Sequence, residues 1–397
     1  MKSGARISPS FVHLDMARGV AALLVLSAHL RQLVFCSYGD LSSHGPLEML
    51  VWGISGFGYQ AVMIFFVLSG FFIARSILID DQSGKFSWRA YLTKRLTRLW
   101  VVLIPCLIAT LLWDSLDIEL TGRAFGADDL GPLAFFKNLL FLVHGETGLS
   151  VDFFGYTGVL QDIAAPTYGS NGPLWSLTNE FWYYMMFPLI YFSIRRPGTW
   201  PVSATFLGMF IVGLAFVGES IGVYGLVWLA GAVSYMVYHW GRKVTGFRTS
   251  FAVTATGALL TALAASKMPY GTELTKNMLI GLAGAPFVLA LARSKAGGEL
   301  YRRSARVLAN ASYTIYLAHF PFLVLLANVF IGDRHFSNSP AGYAAFVGVG
   351  SAVLVYCFAM YWLFERHTGK VRDYCLARFC KGTLKDVEAM PKKVDFA

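Results

Sequence analysis

The chain has 397 residues, of which 56% are apolar and 15% aromatic, while Asp, Glu, Lys and Arg together make only 14%. Soluble chains carry about a quarter charged residues, so this balance, with a mean hydropathy of +0.54, excludes an ordinary soluble domain. It points to an all-α polytopic membrane protein. The net charge of +10 does not signal nucleic acid, because no basic stretch is interleaved with aromatic residues as a stacking platform would be; it reflects Lys and Arg on cytoplasmic loops facing anionic lipid.

Ten apolar runs are long enough to span a bilayer, near 12–35, 58–79, 96–113, 174–194, 201–217, 222–240, 250–266, 277–292, 311–331 and 341–364. Lys2 and Arg6 precede the first run, and without a small-residue cleavage site it reads as an uncleaved signal anchor. This first run carries Asp15, Arg18 and His29. Arg18 and His29 are eleven residues apart, which returns to nearly the same helix face about 16 Å further along the axis. Ionisable groups inside a membrane cost roughly 2.5–3.5 kcal/mol each on insertion scales, so each asks for a reason. His29 reads as a general base, since imidazole titrates near neutrality, or as a core histidine bonded to a neighbouring helix. Asp15 and Arg18, one turn apart, either pair with each other or line a polar path.

In the second run, Ser69 and Gly70 permit close helix approach, and Arg75 ends the segment Phe65 to Arg75. Arg95 and Arg98 open the third run one turn apart. Positive-inside anchoring accounts for this pair, and so does a phosphate-rich cytoplasmic ligand held at one mouth together with Arg75. A long outer loop is expected over 114–173, with an interfacial helix near 131–144 that is too short to span. Its Asp114, Asp117, Glu119, Asp128, Asp129, Glu146, Asp152 and Asp162 form either a solvated acidic cap or a surface that grips a hydroxyl-rich acceptor.

The fourth run follows Pro173, a residue suited to the first turn of a helix. Glu180 then lies about 9 Å below that start, and His29 lies at a similar depth below the end of the first run. The expectation is that the two pair, the carboxylate orienting the imidazole; the alternative is a structural ion pair for Glu180. Trp175, Tyr183 and Tyr184 fit an interfacial aromatic belt. A tight turn is expected at Glu219-Ser220. Pro321 should kink or open the ninth run beside His319, which is structural or a second polar lining.

Basic residues orient the chain. Of the 33 Lys and Arg, Arg31, Arg123, Lys137, Lys267, Lys276 and Arg334 fall on one side, Arg18 and Arg75 lie inside runs, and all the others share the side of the N-terminus. Both termini are therefore expected in the cytoplasm. The five cysteines, Cys36, Cys106, Cys357, Cys375 and Cys380, are not spaced for a metal, and only Cys36 lies near the outer face, so no intramolecular disulfide is expected. Histidine spacing supports no metal site, and the sequence lacks a G-x-S-x-G elbow, a P-loop and G-x-G-x-x-G. Residues 1–372 read as a single membrane domain and 373–397 as a basic cytoplasmic tail.

Six segments, taken in order, resemble the integral-membrane acyltransferase-3 family, which O-acylates sugars and other hydroxyl compounds: Leu14 to His29, Phe65 to Gly70, Lys94 to Arg98, Pro173 to Glu180, Ser312 to His319 and Phe364 to Arg366. The resemblance implies a ten-span bundle in the bacterial inner (plasma) membrane, no permanently bound cofactor, and an acyl-CoA donor, usually acetyl-CoA, bound from the cytoplasm. It carries the family's arginine–histidine pair onto Arg18 and His29, with His29 catalytic. The basic pair maps onto Arg95 and Arg98, and the tryptophan-serine-leucine motif with its glutamate onto Trp175, Ser176, Leu177 and Glu180. This chain departs from the pattern in reading Arg98-Leu-Trp-Val after the basic pair, and in having Asn179 where an acidic residue is common. The expected reaction is acyl transfer to a hydroxyl of a carbohydrate or glycoconjugate, with His29 as base or acyl relay. The rival is a proton-coupled transporter or flippase for a polysaccharide or lipid-linked sugar, with His29 and Glu180 as a proton relay.

Overall fold

The computed structural model describes residues 11–123, 129–143, 158–195, 200–241, 249–295, 297–333 and 335–380. Lys2 and Arg6, the stretches 124–128 and 144–157 of the expected outer loop, and 381–397 of the expected basic tail lie outside the described residues.

The chain folds as a bundle of helices: α1 (Val12–Val34), α2 (Pro46–Ser55), α3 (Gly58–Gln82), α4 (Trp88–Thr121), α5 (Pro132–Leu139), α6 (Val159–Ile163) and α7 (Leu174–Arg195). They are followed by α8 (Trp200–Trp240), α9 (Thr249–Ala265), α10 (Glu273–Arg293), α11 (Glu299–Phe330), α12 (Pro340–Leu363) and α13 (Thr368–Phe379). Among the described residues, seven helical stretches are long and apolar enough to cross a membrane. Each of the ten runs read from the sequence falls on a helix. α2 has no counterpart among them, and α5 is a short helix inside the range expected for an interfacial one.

Two boundaries differ from expectation in a way that matters. α4 continues past 113 to Thr121, so Asp114 and Asp117 are helical and only 3% exposed rather than part of a solvated loop. α13 crosses residue 372 and packs on α4, so the chain there is a docked helix and not the start of a tail. α8 contains the expected reversal. Gly218, at φ +79° and ψ −179°, takes a conformation open to glycine alone at little cost, and the two limbs fold back until Leu214 reaches Gly222.

Packing concentrates on α3 and α11. α3 lies against α8, α1 and α10, and α11 against α1, α4 and α12. Where α3 meets α8, a Cβ added at Gly70 would stand 2.0 Å from the Trp228 carbonyl oxygen, and one at Gly231 would stand 1.9 Å from that of Val67. Small residues at both points are the condition for backbone-to-backbone contact.

Pro321 sits inside an unbroken α11. Lacking an N–H, it leaves the Leu317 carbonyl without its helical donor. Asn171, just before α7, donates through Nδ2 to that oxygen at 3.0 Å and to Thr110 Oγ1 at 3.1 Å. The opening expected beside His319 is thus filled by a side chain that fixes the start of α7 against α4 and α11. Asp114 adds a second tie, accepting from the Ser170 amide at 2.7 Å and its hydroxyl at 2.6 Å. Asp117 accepts from Asn328 at 2.6 Å. In the same loop the Tyr168 hydroxyl donates to the Leu130 carbonyl; burial, with Asp114 and Asp129 nearby, pushes its pKa above the ordinary phenol value.

Candidate active site

The polar residues of α1, α3, α4, α7 and α11 converge on a cavity of ≈ 250 Å³ inside the bundle. Arg18, Arg95, Arg98 and Glu180 all line it, together with Ser69, Ser176, Tyr184, Tyr313 and Tyr316. Four residues singled out for their charge, spread over 163 positions of sequence, therefore face one space. Arg75 does not join them: its guanidinium lies over the Phe11 ring at 5.6 Å. Asp15 stands behind Arg18 as its one-turn partner, at 3.0 Å.

Among the described residues, no carboxylate that lines the cavity comes within 4.0 Å of the three arginines. Arg18 lies over Phe72 at 5.7 Å, Arg95 over Tyr91 at 5.6 Å and Arg98 over Tyr313 at 5.7 Å. Aromatic faces of this kind attract the cation and fix its direction while leaving its N–H groups for another acceptor. The Nε atoms of Arg18 and Arg95 are buried with no hydrogen-bond partner, and one Arg95 terminal nitrogen donates to Ser76 at 3.2 Å. Glu365, just beyond α12, lies within electrostatic reach of both Arg98 and Arg18, and is itself anchored by the Thr314 hydroxyl at 2.6 Å and amide at 3.1 Å.

Glu180 accepts from the Ser69 hydroxyl at 2.7 Å and from the Tyr184 hydroxyl; Trp228 in turn donates to Ser69 at 3.1 Å. The pairing expected between Glu180 and His29 is not formed. His29 instead meets His319, with Nδ1 and Nε2 2.8 Å apart, while Phe320 closes on its face edge-on at 4.7 Å. The physical reason is lateral: α1 packs on α11, whereas Glu180 is turned toward α3. His29 retains partial exposure, and His319 is 0% exposed.

Ser176 and Tyr316 share a hydroxyl–hydroxyl bond of 2.6 Å at the cavity wall. His319 lies three residues past Tyr316 on α11, about one turn from the cavity's end. Trp175 stacks on Tyr59 at 6.0 Å with 13° between planes, and Asn179 is buried on α7 without lining the cavity. Tyr183 donates to the Ile221 carbonyl at 2.9 Å, and Tyr184 reaches Glu180. Both are buried, so neither belongs to an interfacial belt. Ser69, Tyr313, Tyr316 and Glu365 were not singled out for a role in the site by the sequence. The 312, 313, 316 and 319 positions share one helical face, which is the signal that would have found the α11 members.

A charged cavity among apolar helices, with the His29–His319 pair beyond its α11 wall, defines the class: a helical membrane protein with a polar site inside the bundle. The comparisons give the class its family. The acyltransferase domain family, acyltransferase 3, matches residues 11–362, and the chain belongs to it. The chain is also similar to an O-acetyl transferase of Shigella phage Sf6, 26% identical over 173 residues, which cover 43% of this chain and 43% of that relative. The match thus spans less than half the length of the curated relative. No solved structure matches the chain.

Proposed function

We propose that the protein transfers an acyl group, usually acetyl, from cytoplasmic acyl-CoA to a hydroxyl of a carbohydrate or glycoconjugate across the membrane. The observation that carries this reading is the cavity in which Arg18, Arg95 and Arg98 meet: Arg18 pairs with Asp15 at 3.0 Å, and among the described residues neither Arg95 nor Arg98 has a carboxylate within 4.0 Å. Phosphate groups of the donor would take the free guanidinium N–H groups, which bind such oxygens in a planar fork. The thioester would then point along α1 toward His29, about 16 Å from Arg18 along the helix axis.

At His29 the acceptor hydroxyl gives its proton to the imidazole as its oxygen attacks the thioester carbonyl. The C–S bond breaks, and the departing thiolate recovers the proton from the imidazolium, so the enzyme ends as it began. In a relay variant the imidazole nitrogen first takes the acyl group and then passes it to the hydroxyl. The base route requires both substrates to be bound together, and the relay gives ping-pong kinetics. Glu180, bonded to Ser69 and Tyr184, supplies negative charge among the arginines and does not orient His29.

The test is incubation of purified protein with labelled acetyl-CoA and candidate glycans, following CoA release. Release that depends on acceptor and is abolished in His29→Gln supports the reading. Folded His29→Gln protein that releases CoA at the wild-type rate would falsify it.

A further inference from the structure

The His29–His319 contact has a direction that can be worked out from its surroundings. His319 Nδ1 lies 2.8 Å from the Ile315 carbonyl oxygen and 3.0 Å from that of Tyr316. Carbonyl oxygens only accept, so Nδ1 of His319 carries the proton. The ring is fully buried with no carboxylate among its hydrogen-bond partners, and burial without a counter-charge favours the neutral imidazole. Its Nε2 therefore offers a lone pair. The Nδ1 of His29, 2.8 Å away, must donate to it.

Ring geometry agrees. The two planes differ by only 8° and the centroids are 5.1 Å apart, which is the 2.8 Å nitrogen separation plus one ring radius at each end. The rings lie edge to edge in a common plane, so the N–H points along the line between them, the best alignment for a hydrogen bond. With Nδ1 committed as donor, His29 keeps its Nε2 lone pair on the far edge of the ring, in a residue that retains some exposure.

We propose that His319 is the positioning residue for His29: by accepting the Nδ1 proton it holds the tautomer whose free Nε2 faces the acceptor hydroxyl. This inference rests on the reading of His29 as base. When Nε2 takes up a proton, the imidazolium keeps its Nδ1–H bond to the neutral His319 acceptor, and no proton needs to leave the pair. The acyl relay uses the same nitrogen.

Two substitutions separate positioning from simple packing. Asn at 319 can keep an amide donor toward the Ile315 carbonyl but is too short to reach His29. Gln is long enough to place its amide oxygen where Nε2 stands. His319→Asn should lower kcat by about 10²-fold or more, the range of a lost general base, with KM for acetyl-CoA unchanged within threefold. His319→Gln should stay within about tenfold of wild type, since it restores the acceptor. Wild-type kcat in His319→Asn, or equal loss in both variants, overturns the proposal. Should His319→Asn not fold, nitrogen-15 spectra of histidine-labelled wild type decide the matter. The ring signals that vanish in His29→Gln must show a protonated Nδ1 and bare Nε2, and the opposite tautomer overturns the proposal. An inactive His29→Gln beside an active His319→Asn refutes the positioning alone. An active His29→Gln refutes the base reading, and the tautomer spectrum still decides what His319 does.

Discussion

Replacing Arg98 with Ala should weaken the acyl-CoA donor in proportion to the phosphate contacts the guanidinium makes. Among the described residues Arg98 forms no ion pair within 4.0 Å, so a phosphate oxygen would bind it without displacing an existing partner. A hydrogen bond to a charged group is worth about 1.5–3 kcal/mol. Two unit charges roughly 5 Å apart at an effective dielectric of about 20 give about 3 kcal/mol, within the same window. At about 1.4 kcal/mol per factor of ten, KM should rise by roughly 10- to 150-fold in Arg98→Ala. Arg98→Lys keeps the charge and loses the fork, and should fall between. Initial rates of thiol release from detergent-solubilised protein measure this, provided two donors are compared. One is acetyl-CoA, and the other is acetyl-pantetheine, a thioester without the nucleotide phosphates. The mutant-to-wild-type ratio should collapse toward one with the truncated donor. Equal penalties for both donors would show that Arg98 supports the fold through Tyr313 and Glu365 and does not hold phosphate.

Asp114→Ala removes both acceptors of Ser170 and should destabilise the protein by about 2–6 kcal/mol, with each of the two buried orphan donors costing about 1–3 kcal/mol. A lower thermal midpoint with unchanged acceptor KM is expected, and the reverse pattern would return Asp114 to an acceptor-binding role. Asn171→Leu leaves the Leu317 carbonyl orphaned and should cost about 1–3 kcal/mol. Adding Pro321→Ala restores a helical N–H to that oxygen, so most of the loss should be recovered, and strict additivity of the two changes would refute the link. Gly231→Ala places a methyl 1.9 Å from the Val67 carbonyl oxygen. It should push α3 from α8 and reduce activity along with folded yield, because Ser69 and its bond to Glu180 ride on that stretch of α3; full activity at full yield would contradict this.

Much of the fold was legible because apolar run length is a strong, local signal. The helices α1, α3, α7 and α12 fall where hydropathy puts them, α11 begins twelve residues before its apolar run, and Gly218 turns the chain one residue from the expected site. Arg18, Arg95, Arg98 and Glu180 were legible for a similar reason, since charge inside an apolar helix stands out. The partner of His29 was not. Depth counting assumed that helices end in a common plane, and α11 does not obey it. Phe330 lies eleven residues beyond His319, about 16 Å, whereas Val34 lies only five beyond His29, about 8 Å. α11 overshoots α1, and this brings His319 level with His29. Rotation about the helix axis is the second missing quantity: α7 is nearly apolar all round, so its sequence does not say that Glu180 faces Ser69. Asp114 and Asp117 were misplaced because α4 continues for two turns as a mixed polar helix, where hydropathy falls while helical structure persists.

Donor binding by the arginines requires that their end of the bundle face the cytoplasm, and the protein carries its own probes for that. Cys36, just past α1, and Cys375, in α13, are partly exposed, whereas Cys106, Cys357 and Cys380 are buried. The excess of Lys and Arg on the segments sharing a side with the N-terminus predicts that Cys36 is outside and Cys375 inside. A membrane-impermeant maleimide added to intact cells should therefore label wild type and Cys375→Ser but not Cys36→Ser. After permeabilisation, Cys36→Ser should become labelled through Cys375. The consequence is chemical as well as topological. Arg95 and Arg98 lie within the first eleven residues of α4, beside Lys94, which pairs with Asp80 near the end of α3 at 3.3 Å; α13, which carries Cys375, packs on α4, and the charge count puts both at the same end of the bundle. Labelling of Cys375 in intact cells would turn that end away from the cytoplasmic acyl-CoA pool, and donor binding by these arginines would have to be abandoned even if His29 proved essential.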